Sequence, residues 1–224
     1  MLKVGPAAVS SIMGLYPAKF IAELKMRKIR WFATVTTVSE ALAAEKAGAN
    51  AIIAQGMEAG GHRGAFAASQ ANNMVGLFSL LPAVVDAVKI PVIATGGISD
   101  DRGMAASLIL GASGVQIGTG FLRAPEAAIA SAWSDAIDRA APEDTVASRV
   151  FSGRLGRSLR TEYTNAATSP LAPDPAPYPI QRNLTQKMRD EAIESNDLTK
   201  IQAWAGQSSG LARAIPAKEI VANL

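Results

Sequence analysis

His62 is the only histidine of this 224-residue sequence, and it lies in a glycine-rich stretch, AIIAQGMEAGGHRG, that covers residues 51–64. A neutral imidazole can take a proton from a carbon acid near pH 7, and a charged one can hydrogen-bond to an anion. The glycines at 60, 61 and 64 allow positive φ and let backbone N–H groups approach a ligand. A lone histidine is as often structural as functional, but its place in this loop favours a functional role.

Two charged residues stand close to His62 in the sequence. Glu58 is a candidate for orienting the imidazole, although a solvated helix-cap role is equally compatible with its position. Arg63 is interpreted as a surface charge. One histidine and no cysteine exclude a thiolate or multi-histidine metal site. The sequence also has no Walker loop, no G-x-S-x-G elbow and no dinucleotide fingerprint.

Two shorter glycine loops follow downstream, Thr95-Gly96-Gly97 and Gly118-Thr119-Gly120, each directly after an apolar segment. Either loop alone is typical of an ordinary turn. The carboxyl ends of parallel strands form the ligand edge of a sheet, and backbone N–H groups there hold phosphate groups. Together, at the ends of successive strands, the two loops therefore favour a phosphate site.

Five strand–helix repeats are predicted to position these loops. The strands are predicted over residues 6–13, 30–35, 50–55, 91–95 and 114–117, and the helices over 17–28, 38–48, 78–89, 100–110 and 125–140. Thr37 and Glu40 fit a capping box for the second helix, which should end at Gly48. Such alternation predicts an α/β fold with a parallel sheet. The unusually long connection between Gln55 and Phe78 contains His62, and long loops in compact domains are commonly functional.

The character of the sequence changes after Ala141. The proline-rich run SPLAPDPAPYPIQ predicts an extended surface excursion within residues 142–183, and residues 184–204 are predicted to be helical with a break at 195–197. The net charge is only +3 and the 22 basic residues are dispersed, which argues against nucleic acid. No apolar run reaches the ~18 residues of a membrane span. We therefore expect a cytoplasmic protein without a membrane partner.

Three segments stand out together: AQGMEAGGHRG, PVIATGGI and GVQIGTGF. In this combination they closely resemble the flavin-dependent nitronate monooxygenase family, also called 2-nitropropane dioxygenases. The resemblance extends from about Ala7 to the C-terminal segment WAGQSSGL. It implies a TIM (β/α)8-type barrel that binds FMN and oxidises alkyl nitronates with O2 to a carbonyl compound and nitrite. In such an enzyme the cofactor supplies the electron chemistry.

The resemblance also implies roles for individual residues. His62 matches the family's active-site histidine, and Tyr178 would border the substrate pocket. The residues implied to bind the cofactor are Gln55, Gly60, Gly61, Gly96, Gly97, Gln116, Ile117, Gly118 and Thr119.

The sequence departs from the family in having five predicted βα units where a full barrel has eight, a difference on the order of a hundred residues. We expect either a truncated gene product or a misplaced start. Residues 1–141 would form a partial barrel with the FMN site, and residues 142–224 an extension packing on it. The alternatives are an NADH-dependent flavin reductase acting on enoyl thioesters or quinones, and an inactive flavin-binding fragment. The oligomeric state is expected to be monomer or homodimer.

Overall fold

The structure, a computed structural model, describes residues 2–224. It forms two compact units, and the chain passes between them several times. The first unit contains the described residues up to Met57, Arg63–Thr95 and Met104–Gln116, and the second contains Glu58–His62, Gly96–Gly103 and Ile117–Leu224. The division at residue 141 stays a prediction.

Eight strands and nine α-helices occur within residues 2–224. The strands are β1 (Ala8–Ser11), β2 (Arg30–Val35), β3 (Ala51–Gln55), β4 (Gly61–His62), β5 (Val92–Thr95), β6 (Gly114–Gln116), β7 (Thr145–Ser148) and β8 (Gly156–Leu159). The helices are α1 (Ala18–Met26), α2 (Val38–Ala47), α3 (Leu77–Ala87), α4 (Asp101–Ile109), α5 (Ser131–Arg139), α6 (Glu162–Ala167), α7 (Ile180–Leu184), α8 (Gln186–Glu194) and α9 (Ala217–Ala222). In the part of the chain so described, no helix is long and apolar enough to cross a membrane.

The first unit is built on a five-stranded sheet of order β1-β2-β3-β5-β6, in which every neighbouring pair is parallel. Its central strand β3 is buried at all five positions, as expected of a strand covered on both faces. Trp31 on β2 is fully buried, and its indole N–H donates to Ser11 Oγ at 3.0 Å. The predicted parallel α/β fold with five strand–helix repeats is confirmed.

Helix α2 shows how closely a local pattern can specify an element. Thr37 Oγ1 accepts a hydrogen bond from Glu40 N at 3.2 Å, and the helix ends at Gly48 with φ +100°. The Glu40 side chain departs from the capping-box pattern, because its carboxylate accepts from Thr36 N, Thr36 Oγ1 and Phe66 N. The buried carboxylate thus ties the loop after β4 to the start of α2.

The second unit contains a three-stranded antiparallel sheet of order β4-β8-β7. Its register pairs Gly61 with Arg157 and His62 with Gly156. An isolated antiparallel bridge also joins Ser158 of β8 to Trp204. The core of this unit is a cluster of buried aliphatic side chains: Ile137, Leu159, Ala192, Ile201, Ala203, Ala205 and Ala212.

The predictions for the C-terminal half are confirmed only in part. The proline-rich run is a surface excursion as predicted, since residues 169–180 are mostly exposed, whereas residues 145–159 form a largely buried strand pair that was not predicted. The predicted helix up to residue 204 is wrong after residue 197, because residues 198–200 form a turn and Ile201, Ala203 and Ala205 are then buried with the two-residue period of a strand. The predicted helix over 125–140 is a short 3-10 turn followed by the nine-residue α5.

Candidate active site

His62 is positioned by the pairing of β4 with β8 in the second unit. The two-residue strand β4 places His62 opposite Gly156, and Gly61 before it has φ +77°. A side chain at position 61 would be strained in this conformation. The positive φ of Gly61 therefore directs the chain into the short antiparallel pairing of β4 with β8.

The imidazole has a close hydrogen-bond partner in Ser152. His62 Nε2 lies 2.7 Å from Ser152 Oγ, although 90 positions separate the two residues in the chain. Ser152 is almost completely buried and lies in the connection between β7 and β8. The partner at Nε2 is thus a hydroxyl, and a role of Glu58 in orienting the ring stays a prediction. Burial lowers the pKa of Arg157, and the charge of Glu58 partly opposes this lowering.

Two aromatic rings face the imidazole. The Trp204 ring lies 5.1 Å from the His62 ring between centroids, and the Tyr178 ring lies 6.0 Å away in an edge arrangement. Gly156 makes room for the indole, because a Cβ at that position would meet two Trp204 ring atoms at 2.7 and 2.8 Å. Tyr178 is therefore close to His62, while its place at the border of the substrate pocket stays a prediction.

The surroundings keep the imidazole neutral. Burial, followed by the charges of Arg182 and Arg154, lowers the pKa of His62 from its ordinary value of 6.5 to about 4. Desolvation and nearby positive charges both disfavour the imidazolium. At neutral pH the ring thus keeps a lone pair, and the two guanidinium groups create a positive field suited to an anion.

The interpretation of Arg63 as a surface charge is wrong, because the residue is buried. It is 5% exposed, and its guanidinium donates to Gln55 O at 2.7 Å and to Asn73 O at 3.0 Å. Gln55 Oε1 in turn accepts from Gly64 N at 2.8 Å. Burying an arginine is costly unless its donors find acceptors, and here backbone carbonyls at strand and loop ends accept from Nη1 and Nη2.

Glycine-rich loops meet in the second unit. Gly97 and Gly96 pack on Glu58 and Ala59, and a Cβ at Gly60 would come within 2.6 Å of the backbone of Ala205 and Gly206. These close backbone approaches explain the small residues at each position. The segment before His62 is thus held between the loop after β5 and the WAGQSSGL segment.

Hydroxyl groups connect the same loops. Ser99 Oγ lies 2.9 Å from Ser208 Oγ, and Gly206 N donates to Thr119 Oγ1 at 3.0 Å. Ser209 is fully buried, and within the described residues its Oγ has no hydrogen-bond partner. The two predicted phosphate loops therefore lie beside a third segment that carries further hydroxyl donors.

The remaining predicted cofactor residues are less constrained. Gly118 is exposed, and a Cβ added there would meet nothing within 4 Å. Ile117 is half-buried, while Gln116 belongs to the first unit and its backbone oxygen accepts from Thr95 Oγ1 at 2.8 Å. Cofactor contacts of these residues stay predictions.

The sequence analysis missed Ser152, Arg154 and Gly156, which surround His62. They occur in one segment, FSGRLGR, at residues 151–157. Two glycines, a serine and two arginines between apolar residues were a signal of a second functional loop. It was overlooked because the neighbouring prolines suggested an irregular surface region.

Comparison with known proteins places these features in a family. The sequence profile described as nitronate monooxygenase matches residues 1–224. A probable nitronate monooxygenase of Staphylococcus aureus (strain Newman) is 43% identical over 212 residues, which is 94% of this chain and 59% of the relative. A protein of the same name from Staphylococcus saprophyticus is 40% identical over 228 residues, covering 100% of this chain and 63% of the relative.

Two solved structures are similar to this chain over most of its length. A nitroalkane oxidase from Streptomyces ansochromogenes is 38% identical with a TM-score of 0.90, covering 96% of this chain and 62% of that chain. FabK from Thermotoga maritima is 33% identical with a TM-score of 0.76, covering 96% of this chain and 65% of that one. The chain spans about three fifths of the length of the curated relatives it matches. The predicted TIM-barrel-type α/β class is confirmed, and the chain belongs to the nitronate monooxygenase family.

Proposed function

We propose that this chain takes part in the FMN-dependent oxidation of alkyl nitronates by O2 to a carbonyl compound and nitrite, with His62 as the catalytic residue. The observation that carries the proposal is the environment of His62: a neutral ring facing Trp204 and Tyr178 under the positive charges of Arg154 and Arg182. Family membership supports the same reaction. The activity of the whole protein is part of the proposal, since the relatives are longer.

The residues of the glycine loops fit FMN. A phosphate group is held by backbone N–H groups and hydroxyls. Gly96, Gly97 and Thr119 lie with Ser208 and Ser209 in one set of converging loops, and the buried Ser209 Oγ has no partner within the described residues. Gly118 leaves open space where a side chain would otherwise stand. When bound, FMN would supply the electron-transfer chemistry.

Two roles for His62 are compatible with a neutral imidazole. The ring can accept the α-proton of a neutral nitroalkane, or it can interact with a nitronate that is already anionic. A low pKa alone would make it a weak base. The positive field of Arg154 and Arg182, which disfavours the imidazolium, equally stabilises a nitronate anion beside it. The positive field therefore makes His62 a weaker base but also makes the nitroalkane a stronger acid, and the second effect offsets the first.

The test replaces His62 with Asn in the full chain supplied with FMN. Nitroethane turnover should fall at least ~100-fold, as general-base catalysis commonly contributes that much, while FMN binding, followed by its visible absorbance, is retained. Tyr163→Phe is a control that removes a hydroxyl donating to Val150 O elsewhere in the second unit. Undiminished nitroethane turnover in the His62→Asn variant would remove the histidine from the mechanism.

The similarity to FabK favours a second candidate, a reductase of the same scaffold that uses a nicotinamide donor. The two candidates differ in whether NADH bleaches the absorbance of the bound flavin in the absence of O2. Rapid bleaching would support the reductase, and an unchanged spectrum with nitronate turnover would support the oxidation. A colourless sample that takes up no FMN would contradict both and support an inactive fragment.

A further inference from the structure

Ser152 offers three polar contacts around one hydroxyl group. Its Oγ lies 2.7 Å from His62 Nε2, 3.2 Å from the backbone oxygen of Arg154 and 3.3 Å from the backbone nitrogen of Arg154. The side chain is 1% exposed. The proton arrangement at this hydroxyl is therefore set by the protein.

The proton count distinguishes two arrangements. A serine hydroxyl has one proton to donate and two lone pairs to accept with. If the proton points to His62 Nε2, Ser152 Oγ and the Arg154 carbonyl oxygen face each other at 3.2 Å with no proton between them. If the proton points to the Arg154 oxygen, the two lone pairs accept from Arg154 N–H and from His62 Nε2–H. Only the second arrangement satisfies all three contacts.

We propose that Ser152 is a positioning residue that holds neutral His62 in its Nε2–H tautomer and leaves the lone pair on Nδ1. Nδ1 is then the basic nitrogen of the ring. This inference rests on the proposed function only in its kinetic consequence. When Nδ1 takes the α-proton of a nitroalkane, the electron pair of the broken C–H bond stays on the substrate as the nitronate. The imidazolium keeps its Nε2–H bond to Ser152.

The arrangement also stabilises the charged form of the ring while it exists. The Nε2–H group of an imidazolium is a stronger donor than that of the neutral ring. Its acceptor, Ser152 Oγ, donates onward to the Arg154 carbonyl, so the chain of hydrogen bonds is polarised in the direction that favours the positive ring. Burial and the nearby charges of Arg182 and Arg154 act in the opposite direction and disfavour the imidazolium.

The single histidine makes the tautomer directly measurable. The full chain is labelled with 15N only in histidine, and the two ring nitrogens are observed by two-dimensional 1H–15N correlation between pH 6 and 8. We expect a protonated Nε2 and an unprotonated Nδ1 in a population above ~90%. A protonated Nδ1, or an equal mixture of the two tautomers, would overturn the proposal.

The Ser152→Ala variant tests the cause. Without the acceptor, His62 should populate both tautomers, and kcat for nitroethane should fall about tenfold, the effect of one lost hydrogen bond, with little change in KM. Ser158→Ala is the matched control, since this equally buried serine donates to Leu159 O in the same unit. Unchanged tautomers in Ser152→Ala would overturn the proposal.

A second substitution covers the case in which Ser152→Ala does not fold. Ser152→Thr keeps the hydroxyl group, so it should retain the Nε2–H tautomer, and a Thr variant that is folded but loses it would contradict the role of the hydroxyl. The spectrum of the unaltered chain tests the tautomer without any variant. If that chain has the Nε2–H tautomer but no nitroethane turnover, the proposed function fails while the assignment of Ser152 stands.

Discussion

His62 and Arg63 are neighbours in the chain, yet they belong to different units and are held in different ways. Arg63 is buried in the first unit and donates to the fixed backbone oxygens of Gln55 and Asn73. His62 is half-buried in the second unit, beside a hydroxyl and two aromatic rings. Arg63 holds the loop in place through its permanently charged guanidinium. His62 is kept neutral and can gain and lose a proton.

The difference follows from the ionisation chemistry of the two side chains. Arginine is charged at every relevant pH, so a buried arginine must find acceptors, and removing one of the partners then destabilises the fold. Histidine can be neutralised by burial, and the neutral ring tolerates a partly apolar site. The loop thus has a structural anchor directly adjacent to its candidate catalytic group.

The anchor should be sensitive to substitution. Arg63→Met would remove the donors to the Gln55 and Asn73 carbonyls and leave them buried, so we expect a loss of about 3 kcal/mol in the free energy of unfolding. Urea denaturation measures it. Arg27→Met is the control, because Arg27 forms a solvent-exposed pair with Glu23 and should cost less than about 0.5 kcal/mol. Equal effects of the two substitutions would refute the distinction.

The packing beside His62 should respond nearly as strongly. Gly156→Ala would place a Cβ within 2.8 Å of the Trp204 ring and 3.1 Å of Gly61 O, which forces the indole or β4 to move. We expect a loss of about 2 kcal/mol and a changed Trp fluorescence spectrum. Gly114→Ala is the matched control, since a Cβ there meets nothing within 4 Å. A variant at 156 as stable as the one at 114 would show that the contact is loose.

The first unit was largely predictable from the sequence because its signals are local. Strand β2 has the predicted bounds, and the Thr37 cap and the Gly48 stop define α2 within one residue. Apolar runs, caps and glycine stops act over a few positions, and the parallel arrangement follows from strand–helix alternation. Local patterns did not reveal the burial of Arg63, because its acceptors are backbone oxygens of other segments.

The candidate site was predictable only in part. The loop with His62 and the two glycine loops were identified from glycine placement and from the family resemblance. Ser152 and Gly156 were not, since the pairing of β4 with β8 brings together residues about 90 positions apart. That register depends on burial over the whole second unit. Ser152 contacts a residue that is far away in the sequence, and such a contact produces no periodic pattern in the sequence around either residue.

The pH dependence of stability separates His62 from Arg63 further. The pKa of His62 is lowered to about 4 in the folded chain, so between pH 6.5 and 4 the unfolded chain binds a proton that the folded chain does not. Stability should therefore fall as the pH drops through this window and level off below it. One pKa unit corresponds to about 1.4 kcal/mol, and this value is reduced here because solvent screens the partly exposed ring. We therefore expect the free energy of unfolding to fall by about 2 kcal/mol across the window.

His62→Gln supplies the reference for that measurement. Urea denaturation of both proteins across pH 4 to 7 cancels the carboxylates that titrate in the same range. The difference between the two curves belongs to the histidine. If stability changes with pH in the same way in both proteins, the imidazole is solvated in the folded chain as it is in the unfolded chain. His62 and Arg63 would then differ only in how far they are buried.

The smallest expected effects compare the helix caps of the two units. Thr37 Oγ1 accepts from Glu40 N at the start of α2, and Thr161 Oγ1 accepts from Thr164 N at the start of α6, each at 3.2 Å. Thr37→Ala should cost about 1 kcal/mol, as an N-cap typically does. Thr161→Ala should cost somewhat more, because Thr161 and Thr164 are both buried and water cannot replace the lost acceptor.

The corresponding serine variants, Thr37→Ser and Thr161→Ser, keep the hydroxyl and serve as controls in the same urea titrations. If Thr161→Ala costs no more than Thr37→Ala, burial does not amplify the loss of a cap in the second unit. The excess cost at Thr161 therefore measures how far water is excluded from the unit that holds His62, and the same exclusion lowers the pKa of the imidazole.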